Sequence, residues 1–116
     1  MSRAAAVLSL VLLAACPAPG EGPKAQRGEA RAEPVIRALA AYRAARGAYP
    51  DSLSMLLPAF LADSALRVPD RAQERYPLEY ERTASGYVLT FRYVGPGMNH
   101  CSYRPERPRW ECRGYF

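Results

Sequence analysis

The sequence predicts one small α+β domain, in which an N-terminal helix packs on an antiparallel sheet. Apolar residues recur at helical spacing between residues 34 and 47. From Leu78 onward, apolar and polar residues alternate, as they do in strands with one buried face. With 116 residues in all, the chain provides a single domain, which we place at residues 34–116.

The predicted helix begins with Pro34 in its first turn, where a missing N–H removes no helical hydrogen bond. It ends at Gly47, a residue type that commonly terminates helices. A second, short helical turn is expected at residues 53–57, with Asp51 or Ser52 as its cap. The apolar face of the first helix contains Val35, Ile36, Leu39 and Tyr42.

Two segments, residues 78–82 and 87–94, are predicted to form an antiparallel hairpin because a turn-forming stretch separates them. Residues 59–72 connect the helical part to this hairpin. Gly95-Pro96-Gly97 ends the second strand, and residues 100–116 are expected to add one or two more strands. The side chains expected on the buried face are Leu78, Tyr80, Tyr87, Leu89, Phe91 and Tyr93.

The first fifteen residues are typical of a secretion signal. A positive charge at Arg3 precedes an apolar run over residues 4–13, which is shorter than the roughly 20 residues of a membrane-spanning helix. Residues 16–33 are rich in Pro, Gly and charged side chains, so we expect a flexible tether there. Fully extended, such a tether would span roughly 50 Å.

The stretch Leu13-Ala14-Ala15-Cys16 resembles the lipobox of bacterial lipoproteins. This resemblance implies cleavage before Cys16, lipid on its thiol and amino group, and a membrane anchor with the domain in the periplasm. Pro17 rather than Asp beside the cysteine implies the outer membrane in that family. The alternative is an ordinary cleaved signal followed by an incidental cysteine.

The chain has three cysteines, and lipidation of Cys16 would leave Cys101 and Cys112 as a pair in an oxidising compartment. A disulfide between them would close a short loop and stabilise the domain by about 2–3 kcal/mol. The alternative is a metal site that includes His100. Because a fourth ligand and the short cysteine spacing of zinc modules are lacking, the disulfide is our prediction, with no metal.

The order of helix, Gly-x-Tyr-Pro, short helix and sheet resembles the soluble domain of type IV pilins and, more closely, of major type II secretion pseudopilins. The residues concerned are 39–43, 47–53, Leu56 and Pro58, followed by the C-terminal cysteine loop. The resemblance implies a pilin-like fold and an accessory role in secretion or pilus machinery. A lipobox and tether stand where pilins have an apolar helix, so we do not expect filament assembly.

Neither a cofactor nor catalysis is expected from the sequence. The chain has one histidine, His100, and Gly95-x-Gly97 is not followed by the helix and lysine of a phosphate-binding loop. Glu79 and Glu81 lie two apart on a predicted strand and hence on one face. Paired catalytic carboxylates are the alternative there, but an exposed polar face is the preferred interpretation.

The C-terminal aromatic and basic side chains leave two interpretations open. They either cover a thin core beside the disulfide or form a partner-binding surface, because Trp, Tyr and Arg are enriched in interfaces. The residues assigned to that surface are Tyr103, Arg109, Trp110 and Tyr115.

These features together predict a non-enzymatic domain that is tethered to the membrane and binds an unidentified envelope protein. The alternative is a small ligand-binding or enzymatic lipoprotein, which would need a concave pocket with convergent polar groups. The net charge is +5, and +4 without Arg3, and the basic residues are spread along the chain among acidic ones. This distribution argues against a nucleic-acid partner, for which a dense basic patch is typical.

Overall fold

The computed structural model describes the backbone of residues 18–115 and the side chains of residues 18–114. It contains one long helix, α1 (Pro23–Arg46), and two short 3-10 turns (Leu53–Leu56 and Asp63–Leu66). The strands are β1 (Glu79–Arg82), β2 (Tyr87–Val94), β3 (Met98–Arg104) and β4 (Arg107–Tyr115). The predicted α+β fold class is confirmed.

The four strands form one antiparallel sheet whose spatial order, β1-β2-β3-β4, is also the order along the chain. Tyr80 lies opposite Leu89, and Phe91 lies opposite Cys101. The predicted hairpin and the end of its second strand at Gly95 are therefore confirmed, and the C-terminal residues add two strands.

The core lies between α1 and one face of the sheet. Strand β2 is its centre, because alternate side chains of this strand point toward the helix and are buried. The predicted buried face of the hairpin is confirmed, with Leu78 and Tyr80 half-buried at its margin. The buried residues that α1 contributes are Ala25, Gly28, Ala32, Val35, Ala38 and Leu39.

The helix begins earlier than predicted. It starts at Pro23, so the flexible tether predicted over residues 16–33 is wrong from that residue onward, and Pro34 lies inside the helix. The residues that pack this first part of the helix on the sheet are Ala25, Gly28 and Ala32. Small side chains give no apolar periodicity that sequence inspection can detect. The predicted end at Gly47 is confirmed, and its N–H donates to the Arg43 carbonyl oxygen at 2.8 Å.

At Gly28, α1 lies in close contact with the sheet. A Cβ atom at this position would overlap the ring of Phe91 on β2, so only glycine allows the helix to lie this close. The Phe91 ring also contacts Trp110 of β4 edge to face, with 4.9 Å between ring centroids. One aromatic side chain thus joins the helix to two strands.

The predicted disulfide between Cys101 and Cys112 is confirmed. The two residues lie directly opposite each other on β3 and β4, so the bond joins two paired strands. Cys101 is fully buried on the side of the sheet that faces α1. Because the two sulfur atoms are bonded to each other, they do not serve as thiolate ligands in the alternative metal site with His100.

Replacing Gly28 with Ala is expected to lower the free energy of unfolding by about 1–3 kcal/mol, because the added methyl group would overlap the Phe91 ring. Helix propensity alone predicts the opposite sign, a gain of about 1 kcal/mol. Urea unfolding followed by circular dichroism measures the difference.

The control is the same substitution in a Phe91→Leu background. Leucine leaves room near residue 28, so the loss from Gly28→Ala is expected to be clearly smaller there. A G28A protein that is more stable than the wild type would contradict the close packing described here.

Candidate functional site

A groove of about 300 Å³ lies beside the N-terminal half of α1. One side is α1, the other is the segment of residues 69–74 that leads to β1, and β2 completes the lining. Apolar atoms form most of its surface, and charged groups stand around them. The charged and aromatic residues that line it are Arg27, Arg31, Arg71, Glu74, Phe91 and Arg92. We call it the arginine groove.

Glu74 is the acidic member of the groove lining and is only 8% exposed. It accepts two hydrogen bonds from Arg27, from Nε to Oε1 at 2.8 Å and from Nη2 to Oε2 at 2.9 Å. The Nε of Arg71 lies 3.9 Å from Glu74 Oε2. The hydrogen bonds from Arg27 hold the pKa of Glu74 below its ordinary value of 4.5, although burial acts to raise it. This carboxylate is therefore charged at neutral pH.

Arg31 lies one helical turn after Arg27, so both side chains leave the same face of α1. Its Nη1 donates to the Tyr76 carbonyl oxygen at 3.0 Å. Burial lowers the pKa of Arg31, yet a guanidinium stays protonated at neutral pH. Among the side chains of residues 18–114, the Nε of Arg31 is one of the buried polar atoms that lack a hydrogen-bond partner.

The segment that includes Arg71 and Glu74 is fixed to the sheet at Gln73. This residue has a φ of 70°, in the left-handed region that non-glycine residues rarely occupy. Its carbonyl oxygen accepts a hydrogen bond from the Val94 N–H at 2.7 Å, and its side-chain oxygen accepts one from Lys24 Nζ. Lys24 Nζ also donates to the Val94 carbonyl oxygen at 2.8 Å. These bonds join α1, the segment and β2 at one place.

The arginine groove is suited to an anion attached to an apolar body. A buried donor without an acceptor costs about 1–3 kcal/mol, so an oxygen that reaches Arg31 Nε would recover part of this loss. Guanidinium groups also match carboxylate and phosphate oxygens in pairs. Sequence inspection did not identify the groove, because Arg27 and Glu74 are 47 residues apart and no local motif joins them.

The residues predicted as one partner surface are separated by the sheet. Tyr103 and Trp110 lie on the side that faces α1, pack against the core and have ring centroids 5.5 Å apart. Arg109 is exposed on the opposite face, where its Nε lies 3.8 Å from Glu111 Oε1. The side chain of Tyr115 lies outside the described residues. Tyr103 and Trp110 thus cover the core with part of their surface, and their assignment to a partner surface stays a prediction.

The carboxylates of β1 are exposed, as the preferred interpretation expected. Glu79 and Glu81 lie on the face of the sheet that points away from α1. Glu79 accepts a hydrogen bond from Arg92 Nε at 3.0 Å. It therefore takes part in an ion pair at the edge of the arginine groove.

The predicted signal over residues 1–15 and the lipidation of Cys16 fall outside the described residues, and both stay predictions. Within residues 18–115, no helix has the length and apolar character needed to cross a membrane. The same part of the chain has no cluster of three or more His, Cys, Asp or Glu residues placed to hold a metal ion. Comparisons with protein-family models, curated proteins and solved structures found no match.

Replacing Glu74 with Gln is expected to destabilise the protein by about 1–2 kcal/mol at neutral pH, because a charged acceptor of two hydrogen bonds is lost. A carboxyl whose pKa is lowered by folding stabilises the fold above its unfolded pKa, and this contribution is lost as the pH falls through the folded pKa. The difference between wild type and E74Q is therefore expected to be full near neutral pH and to shrink below pH 4.5, the ordinary value. Urea unfolding across this range measures it.

Glu33→Gln is the matched control, since Glu33 is an exposed carboxylate 3.4 Å from Arg37 on the same helix. Its effect is expected to stay below about 0.5 kcal/mol at every pH. An E74Q protein that is equally destabilised in acid and at neutral pH would show that the charge of Glu74 is not what stabilises the groove.

Proposed function

We propose that this chain is an exported lipoprotein, anchored to the bacterial outer membrane through Cys16, whose periplasmic domain is a non-enzymatic protein-interaction module. The Cys101–Cys112 bond supports export, because disulfides persist in oxidising compartments. It accounts for two of the three cysteines and leaves Cys16 as the thiol for lipid.

The observation on which the binding role depends is the arginine groove. Four guanidinium groups and one carboxylate line it, so its charge is positive, and its apolar surface offers contact area. A fitting partner segment has a carboxylate next to an apolar side chain. Such a partner would belong to envelope assembly, and the pilin resemblance favours secretion or pilus machinery.

The chemistry of the groove favours binding over catalysis. Arginines do not exchange protons near neutral pH. Glu74 has a lowered pKa and both of its oxygens accept hydrogen bonds from Arg27, so it is a weak base in a poor position to accept a proton. We therefore assign no reaction to it.

The second candidate function is the binding of a small amphiphilic anion, and the same groove favours it. The groove volume of about 300 Å³ is at the lower end of the range for small-molecule sites. The two candidate functions predict different results for the purified protein without its partner, because only a small ligand would stay bound in the groove. A small ligand would copurify and be found by native mass spectrometry, whereas a protein segment would not.

The anchor is tested by the intact mass of the membrane-extracted protein. Wild type is expected to have lost residues 1–15 and to carry acyl mass on Cys16, whereas Cys16→Ser carries none and stays unprocessed. A wild-type protein whose mass equals that of an unmodified polypeptide would refute the anchor.

The binding role is tested by crosslinking in isolated envelopes. We expect the double variant Arg31→Gln/Arg71→Gln to reduce specific crosslinks to a partner by at least about tenfold, the equivalent of about 1.4 kcal/mol. Arg37→Gln, which changes an exposed arginine paired with Glu33, is the control and is expected to leave crosslinking unchanged. Equal crosslinking of all three proteins would show that the groove is not the binding site.

A further inference from the structure

We propose that one end of this domain is a membrane-contact surface that rests on the lipid bilayer in a fixed orientation. The inference rests on the proposed lipidation of Cys16. The surface consists of residues 18–24, which precede and begin α1, and residues 94–97, which connect β2 to β3. We call it the basal end. This end contacts the headgroup layer of the membrane into which the lipid of Cys16 is inserted.

The chain is fixed to the domain almost immediately after Cys16. The Gly20 N–H donates to the Tyr93 hydroxyl at 2.9 Å, and the Glu21 N–H donates to the Ala18 carbonyl oxygen at 2.9 Å. Since an extended chain advances at most about 3.6 Å per residue, roughly 7 Å separates the Cα atoms of Cys16 and Ala18 at full stretch. A link this short cannot lift the domain away from the bilayer.

Pro19 and Gly20 lie against the sheet and are half-buried, whereas Ala18 and Glu21 are exposed. A Cβ atom at Gly20 would stand 2.7 Å from Cys112 Sγ, and one at Gly114 would stand 2.9 Å from Pro19 Cγ. Gly20 also has a φ of 87°, a conformation that glycine adopts without strain. A side chain at residue 20 would therefore collide with Cys112, so glycine is required where the segment packs on β4.

The basal end has the composition of a surface that meets a lipid interface. A mostly apolar hollow of about 430 Å³ lies between the start of α1 and the β2–β3 turn, with Pro23, Tyr93 and Pro96 in its lining. Its charged lining residues are Glu21, Lys24 and Arg27, and the Nζ of Lys24 is bonded to Gln73 and Val94. Two cations and one carboxylate give a positive margin to an apolar surface, which suits the boundary between headgroups and acyl chains.

The opposite, distal end then points away from the membrane. Gly47 ends α1 and lies beside Gly86 of the β1–β2 turn, since both line one small pocket. The 24 residues of α1 place this end about 36 Å from the basal end, at 1.5 Å per residue. The arginine groove opens on the side of the domain, near the basal end and within reach of partners that are themselves at the membrane surface.

The test uses the lipidated protein in nanodiscs of phosphatidylethanolamine and phosphatidylglycerol that contain a small fraction of gadolinium-chelating lipid. Amide NMR reports how close each residue comes to the lipid surface. We expect relaxation enhancement at Gly95 and Gly97 to exceed that at Gly47 and Gly86 by at least about tenfold, because roughly 36 Å of helix separates the ends.

A flexible insertion tests whether the short link sets the orientation. About sixteen Gly and Ser residues between Pro17 and Ala18 would give the domain an average reach of about 20–24 Å. This variant is expected to lower the basal-to-distal ratio at least about fivefold, since the domain can then turn freely. The same insertion between Ala84 and Ser85, in the distal turn, is the matched control and is expected to leave the ratio unchanged when Gly47 alone is the distal reporter, since Gly86 lies in the altered turn.

Equal enhancement at both ends of the wild-type protein would overturn the membrane-contact surface. An unchanged ratio in the Pro17 insertion variant would overturn the role of the short link. Intact mass separates these results from a failure of the anchor, because each sample is used only after its acyl mass has been confirmed. A preparation without acyl mass would refute the proposed lipoprotein itself.

Discussion

The close contact between Gly28 and Phe91 is the constraint on which the other features of this domain depend. It brings the first half of α1 down onto β2, so that Arg27 and Arg31 stand beside the sheet. It also places Phe91 where Trp110 can meet it, which connects the helix to β4. If the helix stood one side chain farther from the sheet, Arg27 would be displaced from Glu74, and the arginine groove would lose its side formed by residues 69–74.

The strands were predictable from the sequence because their signal is local. Apolar and polar residues alternate along Tyr87–Val94, and turn residues flank the segment, so pattern alone defines the hairpin and its buried face. The disulfide followed from the odd number of cysteines. The start of α1 was not predictable in this way, because its buried residues Ala25, Gly28 and Ala32 are small and the charged residues among them give the segment the composition of a linker.

The arginine groove was beyond sequence inspection for a different reason. Its members come from three places in the chain, and a salt bridge such as that between Arg27 and Glu74 has no spacing rule. For the aromatic residues, the sequence does contain a signal, but that signal fits two different roles. Trp110 and Tyr103 belong to residue types that are common in interfaces and also fill thin cores. The structure shows their packing on Phe91 and the core, which the sequence pattern alone could not establish.

The position of Gly20 beside Cys112 affects how easily a thiol can reach the disulfide. The bond between Cys101 and Cys112 lies on the helix-facing side of the sheet, with Cys101 fully buried, and Gly20 packs against Cys112 Sγ, which leaves Cys112 half-buried. A thiol must approach a disulfide sulfur directly to exchange with it. Packing of the N-terminal segment therefore narrows the access of a thiol to Cys112, while Cys101 is closed to it by burial. The residues next to the proposed anchor thus limit exchange of the bond that joins β3 to β4.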